Sequence, residues 1–176
     1  MKFLPTSLSG AFLIEPEPRE DERGFFARVM CVDEFAEHGL CTQWMQANIA
    51  FNKFKGITRG MHYQHEPNAE VKLVRCTRGS VFDAIIDMRL NSATYRQWFG
   101  VELNESNQKM LYVPAGFAHG YQVMQDDSEL HYMVSAQYAP ESEDGVLWND
   151  VSVAIDWPIT DSVQLSDKDC QWPLLD

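Results

Sequence analysis

Between residues 43 and 138 the chain is a succession of short apolar or alternating segments separated by turn signals. That pattern restricts its fold more than any other feature. The segments read QWMQANIAF, GITRGMHYQ, VKLVRCT, SVFDAIIDM, YRQWFGVEL, QKMLYVP, FAHGYQVM and ELHYMVSAQY. The breaks are EPN, RGS, RLNS, NES, PAG and QDDS, rich in residues that favour tight turns. Eight short strands at nearly even spacing, with no helices between them, predict an antiparallel sandwich or barrel. Upstream, Leu13-Ile14 and residues 25–32 read as strands around the turn-rich EPEPREDERG. Asp33 reads as the N-cap of a short helix, DEFAEH, closed by Gly39, and a second short helix is expected over residues 165–170. With 176 residues, 45% of them apolar, and no repeat or linker, one all-β domain over residues 1–176 with a sizeable core is expected.

No apolar run approaches the length that spans a bilayer. In the opening MKFLPTSLSGAFLI, Pro5, Thr6, Ser7 and Ser9 break up any signal-peptide core. Cys31, Cys41, Cys76 and Cys170 are scattered without a CxxC pair and read as reduced thiols of a cytoplasmic protein. The formal charge of −12 opposes generic binding to nucleic acid or an anionic membrane. The cations are nevertheless concentrated. Lys53, Lys55, Arg59, Lys72, Arg75 and Arg78 stand against only Glu66 and Glu70 in that stretch, an island that suits a small anionic ligand or forms a solvated face.

Within this island RGMHYQHEPNAEVKLVRCTRG reads as strand, turn, strand. It is either a half-exposed hairpin or a site holding a base, a fixed cation and an anion clamp. Arg59 and His62 differ by three positions, so an unbroken strand would aim them at opposite faces. Gly60 between them could host a bulge that restores a common direction. Lys72 shares its parity with Val74 and Cys76, which places it at a rim or inside a wet cavity. Asp83 in VFDAIID could support the site near Lys72 across adjacent strands, or face solvent. The PxGxxH of Pro114, Gly116 and His119 in a small all-β chain suggests the cupin class, in which two histidines and an acid often bind a metal. Here the histidines are spaced HxxH, at His62 and His65, and Lys72 would repel a cation. No metal is expected, and His119 reads as a hydrogen-bonding group or a structural histidine.

Taken together, DERGFF, RGMHYQ, VKLVRCTRGSVFDAIIDMR, LYVPAGFAHGY, the segment around Tyr132 and Tyr138, WND…IDWP and LSDKD resemble the dTDP-4-dehydrorhamnose 3,5-epimerases in order and spacing over almost the whole chain. The resemblance implies a cupin-type antiparallel jelly-roll barrel that works without a metal or other cofactor. It also implies a homodimer in which an N-terminal segment reaches the neighbour's site. The implied substrate is a nucleoside-diphosphate sugar with a ketone at carbon 4, which acidifies the protons on carbons 3 and 5. The reaction would convert dTDP-4-dehydro-6-deoxy-D-glucose to dTDP-4-dehydro-L-rhamnose.

By the same resemblance His62 matches the base and Asp169 its carboxylate partner, which fixes the imidazole tautomer. Lys72 matches the cation beside the oxygen where charge develops, and Tyr132 the acid on the opposite face. Arg23 and Arg59 match diphosphate contacts, for which guanidinium geometry is suited. Gln46 and Asn48 match residues near the nucleoside, and Tyr138 an aromatic surface for the base. Phe26, His119, Glu143 and Lys168 match other lining positions, although Phe26 and Tyr138 also suit a core or rim, and Lys168 a plain surface. Arg28 stands where a glutamate is common, NIAFNKFKG is one residue longer than in some relatives, and Val151 and Ala154 replace a common proline and glycine. These departures bear on which nucleotide and sugar are used. A mono-epimerase of carbon 3 or 5 on a dTDP, GDP or CDP ketosugar, or a non-catalytic sugar-nucleotide-binding cupin, are the alternatives.

Overall fold

The computed structural model describes residues 1–175 and is built almost wholly of antiparallel strands. In chain order these are Lys2–Pro5 (β1), Phe12–Glu15 (β2), Arg19–Asp21 (β3), Gly24–Phe26 (β4), Gln46–Asn52 (β5), Thr58–Gln64 (β6) and Lys72–Arg78 (β7). They continue with Ser80–Asp87 (β8), Trp98–Asn104 (β9), Met110–Val113 (β10), Phe117–Val123 (β11), Ser128–Val134 (β12) and Glu143–Gly145 (β13). All eight segments expected between residues 43 and 138 are strands. The order β1-β2-β10-β7-β12-β5 makes one sheet and β13-β6-β11-β8-β9 the other, a cupin-like jelly roll, while β3 and β4 form a separate hairpin.

The two sheets face each other through one core. Val74, Cys76, Leu111 and Leu130 from the first sheet pack with Val81, Ile85, Leu103 and Val123 from the second. Both outer faces are also covered over part of their area. Phe35 from the helix Val32–Glu37 (α1) packs on Ile14, Leu73, Met110 and Tyr112, and burying it contributes about 1.5–3 kcal/mol. Val146, Val153 and Trp157 of the tail pack on Met61, Ala84, Ile86 and Ala118. Covering on both sides explains why β11 is buried at every position and why β8 reads as a nearly continuous apolar run.

Three local expectations are corrected. Asp33 does not cap α1: the N-cap is Cys31, without a side-chain cap, and Asp33 lies in the first turn, where its charge suits the helix dipole. The other end is as expected. Gly39 (φ +67°) donates to Ala36 O and Leu40 N–H to Phe35 O at 2.9 Å, a Schellman closure. Residues 27–31 are not a strand; instead EPEPREDERG contributes β3, and the β3–β4 turn is held by Arg23 N–H donating to Asp21 Oδ1 at 2.9 Å. The tail helix is a 3-10 turn at Asp169–Gln171, later than residues 165–170.

Candidate active site

One wall of the site is a cross-strand ladder. β12 lies between β5 and β7, with Gln46 opposite Val134 and Val134 opposite Lys72. One step of two along, Asn48 is opposite Tyr132 and Tyr132 opposite Val74. Strand alternation therefore sends Gln46, Asn48, Lys72 and Tyr132 to the same inner face. All four line a cavity of about 270 Å³ together with His62, Glu70, Tyr138 and Glu143. The basic island does not survive this alternation as a unit. Lys72 points in, while Arg75, three positions on, is turned to the other face and donates to Gln108 Oε1 at 2.8 Å.

The opposite wall depends on a bulge. His119 pairs with His62 and Tyr121 with Arg59, so Gly60 and Met61 together oppose the single residue Gly120. A Cβ on Gly60 (φ +120°) would come within 2.5 Å of Gly120 Cα, and one on Gly120 within 2.6 Å of Arg59 O. Only two glycines allow the strands to approach so closely. The extra residue gives Arg59 and His62 the common direction expected of a bulge at Gly60. Both line a second cavity, of about 230 Å³, with Lys72, His119, Tyr121 and Tyr132. Arg59 is anchored at its root by Nε donating to Asn52 Oδ1 at 3.0 Å, leaving the end of its guanidinium for a ligand.

The two cavities share His62, Lys72 and Tyr132. His62 Nε2 is hydrogen-bonded to Asp169 Oδ1. A carboxylate accepts, so Nε2 carries the hydrogen and Nδ1 is left free to act as a base. Asp169 is 3% exposed, and its N–H donates to Ser166 Oγ at 3.1 Å. Burial pushes its carboxyl up, but hydrogen bonds from His62 and Ser166 hold it below the ordinary aspartate value. The Trp172 ring meets His62 edge-on, with centroids 5.7 Å apart. Trp172 fits there because residue 145 is glycine; a Cβ would lie 2.4 Å from the indole.

Lys72 Nζ lies 2.9 Å from Glu70 Oε1, with both side chains nearly shielded from water. Burial, then the negative charge of Glu70, raises the Tyr132 hydroxyl above its ordinary value, against the opposing pull of Arg59. At the mouth, Tyr138 O–H donates to Glu143 Oε2 at 2.8 Å, and Lys168 forms an ion pair with the same carboxylate. Burial opposes the ionised form of Glu143, but Lys168 and Tyr138 leave its carboxyl below the usual value. The Tyr138 ring is exposed.

Asp83 is a correction. It is fully buried, and it lies in the sheet opposite Lys72, since β7 neighbours β10 and β12 whereas β8 neighbours β11 and β9. Its partner is His119, whose Nε2 is 3.0 Å from both carboxylate oxygens, so it supports a cavity residue other than Lys72. Arg23 and Phe26 are not brought to these cavities by their own chain. Arg23 is 88% exposed and paired with Asp21 at 2.5 Å, and Phe26 is 69% exposed. Arg28 pairs with Glu34 at 3.2 Å. His65 turns away from His62 to Asp144, 2.9 Å away, and among the described residues no three His, Cys, Asp or Glu side chains converge as metal ligands.

Glu70, Tyr121 and Trp172 were absent from the site residues expected from sequence. Glu70 was recoverable, because it has the same parity as Lys72 and lies two positions before it, just ahead of the strand. Trp172 carried no signal, since its place over Gly145 is set by a contact between distant segments.

Residues 5–176 match the family model described as dTDP-4-dehydrorhamnose 3,5-epimerase. The chain is 40% identical to the dTDP-4-dehydrorhamnose 3,5-epimerase of Methanothermobacter thermautotrophicus over 97% of this chain and 92% of that one. Its fold superposes on the crystal structure of the same-named enzyme from Elizabethkingia anophelis with a TM-score of 0.96, at 39% identity, covering 99% of this chain and 96% of that one. A Legionella pneumophila dTDP-6-deoxy-D-glucose-3,5-epimerase, solved in complex with dTDP-4-keto-L-rhamnose, matches with a TM-score of 0.93 at 37% identity, covering 98% and 92%.

Proposed function

Because this chain belongs to the dTDP-4-dehydrorhamnose 3,5-epimerase family, we propose that it inverts carbons 3 and 5 of dTDP-4-dehydro-6-deoxy-D-glucose through His62, Asp169, Lys72 and Tyr132. The observation that carries the residue roles is that His62 and Tyr132 line the same two cavities from opposing sheets. Inversion needs a base on one face of the sugar ring and an acid on the other, and a single group cannot serve both. His62 Nδ1 removes the proton beside the ketone, and Asp169 stabilises the imidazolium. Charge moves to the carbon-4 oxygen, where Lys72 donates; one such preorganised donor is worth about 2.7–4 kcal/mol. Tyr132 delivers a proton to the opposite face, and solvent then reloads the phenol and takes the proton from His62. Arg59 serves the diphosphate, and Gln46, Asn48 and Tyr138 serve the nucleoside. His119, held by Asp83, and the Glu143–Lys168 pair line the remainder.

The test is incubation with dTDP-4-keto-6-deoxyglucose in deuterated water, followed by NMR. Deuterium at carbons 3 and 5 with an L-configured product is expected. Label at one carbon only would make the protein a mono-epimerase, and binding without exchange would make it a sugar-nucleotide-binding cupin.

The assembly belongs to the same reading. The β3–β4 hairpin holds Arg23 and Phe26 away from its own chain's cavities. β5 closes one edge of its sheet, and Met45, Ile49 and Phe51 leave an apolar strip exposed there. A second copy would cover that strip and could receive Arg23 and Phe26 at its site. Light scattering at assay concentration should therefore give the mass of a dimer. A fully active monomer would exclude this assembly. Among the described residues no helix is long and apolar enough to cross a membrane, and a cytoplasmic enzyme is the location proposed.

A further inference from the structure

We propose that Glu70 is a positioning residue of this site: its carboxylate holds the Lys72 ammonium at the junction of the two cavities, where His62 and Tyr132 also meet. This rests on the ketosugar reading above and adds a fixed anion to its reacting groups. The contact is 2.9 Å, and the two side chains are only 13% and 12% exposed. An ion pair so shielded is screened far less than one on an open surface. Lysine is a point charge on a flexible stem, so a cation that must meet one oxygen needs an anchor. The ammonium has three donors; Glu70 occupies one and leaves two for a substrate oxygen.

Glu70 is itself held from both sides along the chain. Before it, Gln64 Nε2 donates to Asn68 O and Asn68 Nδ2 to Ser142 Oγ, each at 2.8 Å. After it, Val71 N–H donates to Ser135 Oγ at 2.8 Å. The loop that carries the carboxylate is thus tied to β6, to the turn before β13 and to the end of β12.

The same anion acts on Tyr132. Among the polar and charged groups that line the cavities around this phenol, Glu70 and Lys72 stand on the β7 side, Asn48 on β5, Tyr63 on β6, and Tyr138 and Glu143 at the mouth. Arg59, His62, His119 and Tyr121 face it from the other sheet, with Asp169 and Asp83 behind the two histidines. Arg59 draws the phenol toward ionisation, whereas Glu70 resists it and so helps to keep the acid loaded.

The experiment compares wild type, Glu70→Gln and Glu70→Ala with dTDP-4-keto-6-deoxyglucose across pH, with melting measured in parallel. Glu70→Ala should lower kcat about 10–100-fold and leave KM within about threefold, the pattern of a misplaced catalytic group. Glu70→Gln keeps an acceptor at the same reach and should recover most of that kcat. Its alkaline limb should nonetheless move to lower pH, because the phenol has lost the anion that kept it protonated. A purely structural role would lower melting without moving that limb. An alanine variant with kcat within about twofold of wild type, a loss confined to KM, or an unmoved limb in the glutamine variant would overturn the proposal alone. A wild type that fails to turn over the ketosugar would instead sink the epimerase reading on which it rests.

Discussion

His62→Ala is expected to abolish solvent exchange and inversion together, the largest loss of any single substitution in the cavity. Proton removal is the first step at each carbon, so nothing downstream can proceed without the base. Asp169 cannot replace it. Its carboxyl is buried on the Nε2 side of the imidazole and lines neither cavity, so it does not stand where Nδ1 meets the substrate. The loss should be about 10²–10⁴-fold or more, read as deuterium incorporation and as product by NMR. The substitution also strands a buried carboxylate, at a cost of about 1–3 kcal/mol, so melting must show that the variant is folded at the assay temperature. The sign of the pH effect provides a control. A depressed folded pKa contributes stability above the unfolded aspartate pKa of about 3.9, and that contribution is lost as pH falls through the folded value. The His62→Ala protein should lose part of this acid-side dependence. Exchange at the wild-type rate in a folded variant would show that another group is the base.

Tyr132→Phe should separate the two halves of the reaction. The ring stays in its ladder position opposite Asn48 and Val74, and only the hydroxyl is removed. His62, Asp169 and Lys72 are left to form the enolate, so deuterium should still wash into the sugar. Delivery from the opposite face should fall by about 10²–10⁴-fold, the usual contribution of a general acid. Exchange without matching inversion at one carbon or both is the expected NMR result. Equal loss of exchange and inversion would mean that the phenol is needed before the enolate forms, and the assigned role would be wrong.

Much of the wall that carries Tyr132 was legible from sequence because it is a matter of parity. Lys72 with Val74, and Gln46 with Asn48, sit two apart in strands whose ends are marked by turn residues, and β geometry then sends each pair to one face. Gly60 permitted a bulge, being the residue type a close strand approach requires, and the register places one there. The Schellman closure at Gly39 was readable for the same local reason, while the N-cap was misread because Asp33 competes with no visible alternative at Cys31.

What the sequence determined by itself, then, was whatever repeats or breaks over a few residues: most of the strands, which residues share a face, turn positions and the basic residues available to an anionic ligand. The family resemblance added the pairing of His62 with Asp169, which lie 107 positions apart and have no local signature in common. Only the tertiary structure decided which strands are neighbours. β7 and β8 are consecutive and joined by a tight turn at Gly79, yet they enter opposite sheets, so Asp83 meets His119 and leaves Lys72 to Glu70. The physical reason is that turn chemistry governs how the chain reverses. Strand order depends instead on burying both inner faces and satisfying backbone hydrogen bonds across the whole barrel, and neither condition can be evaluated within a short window.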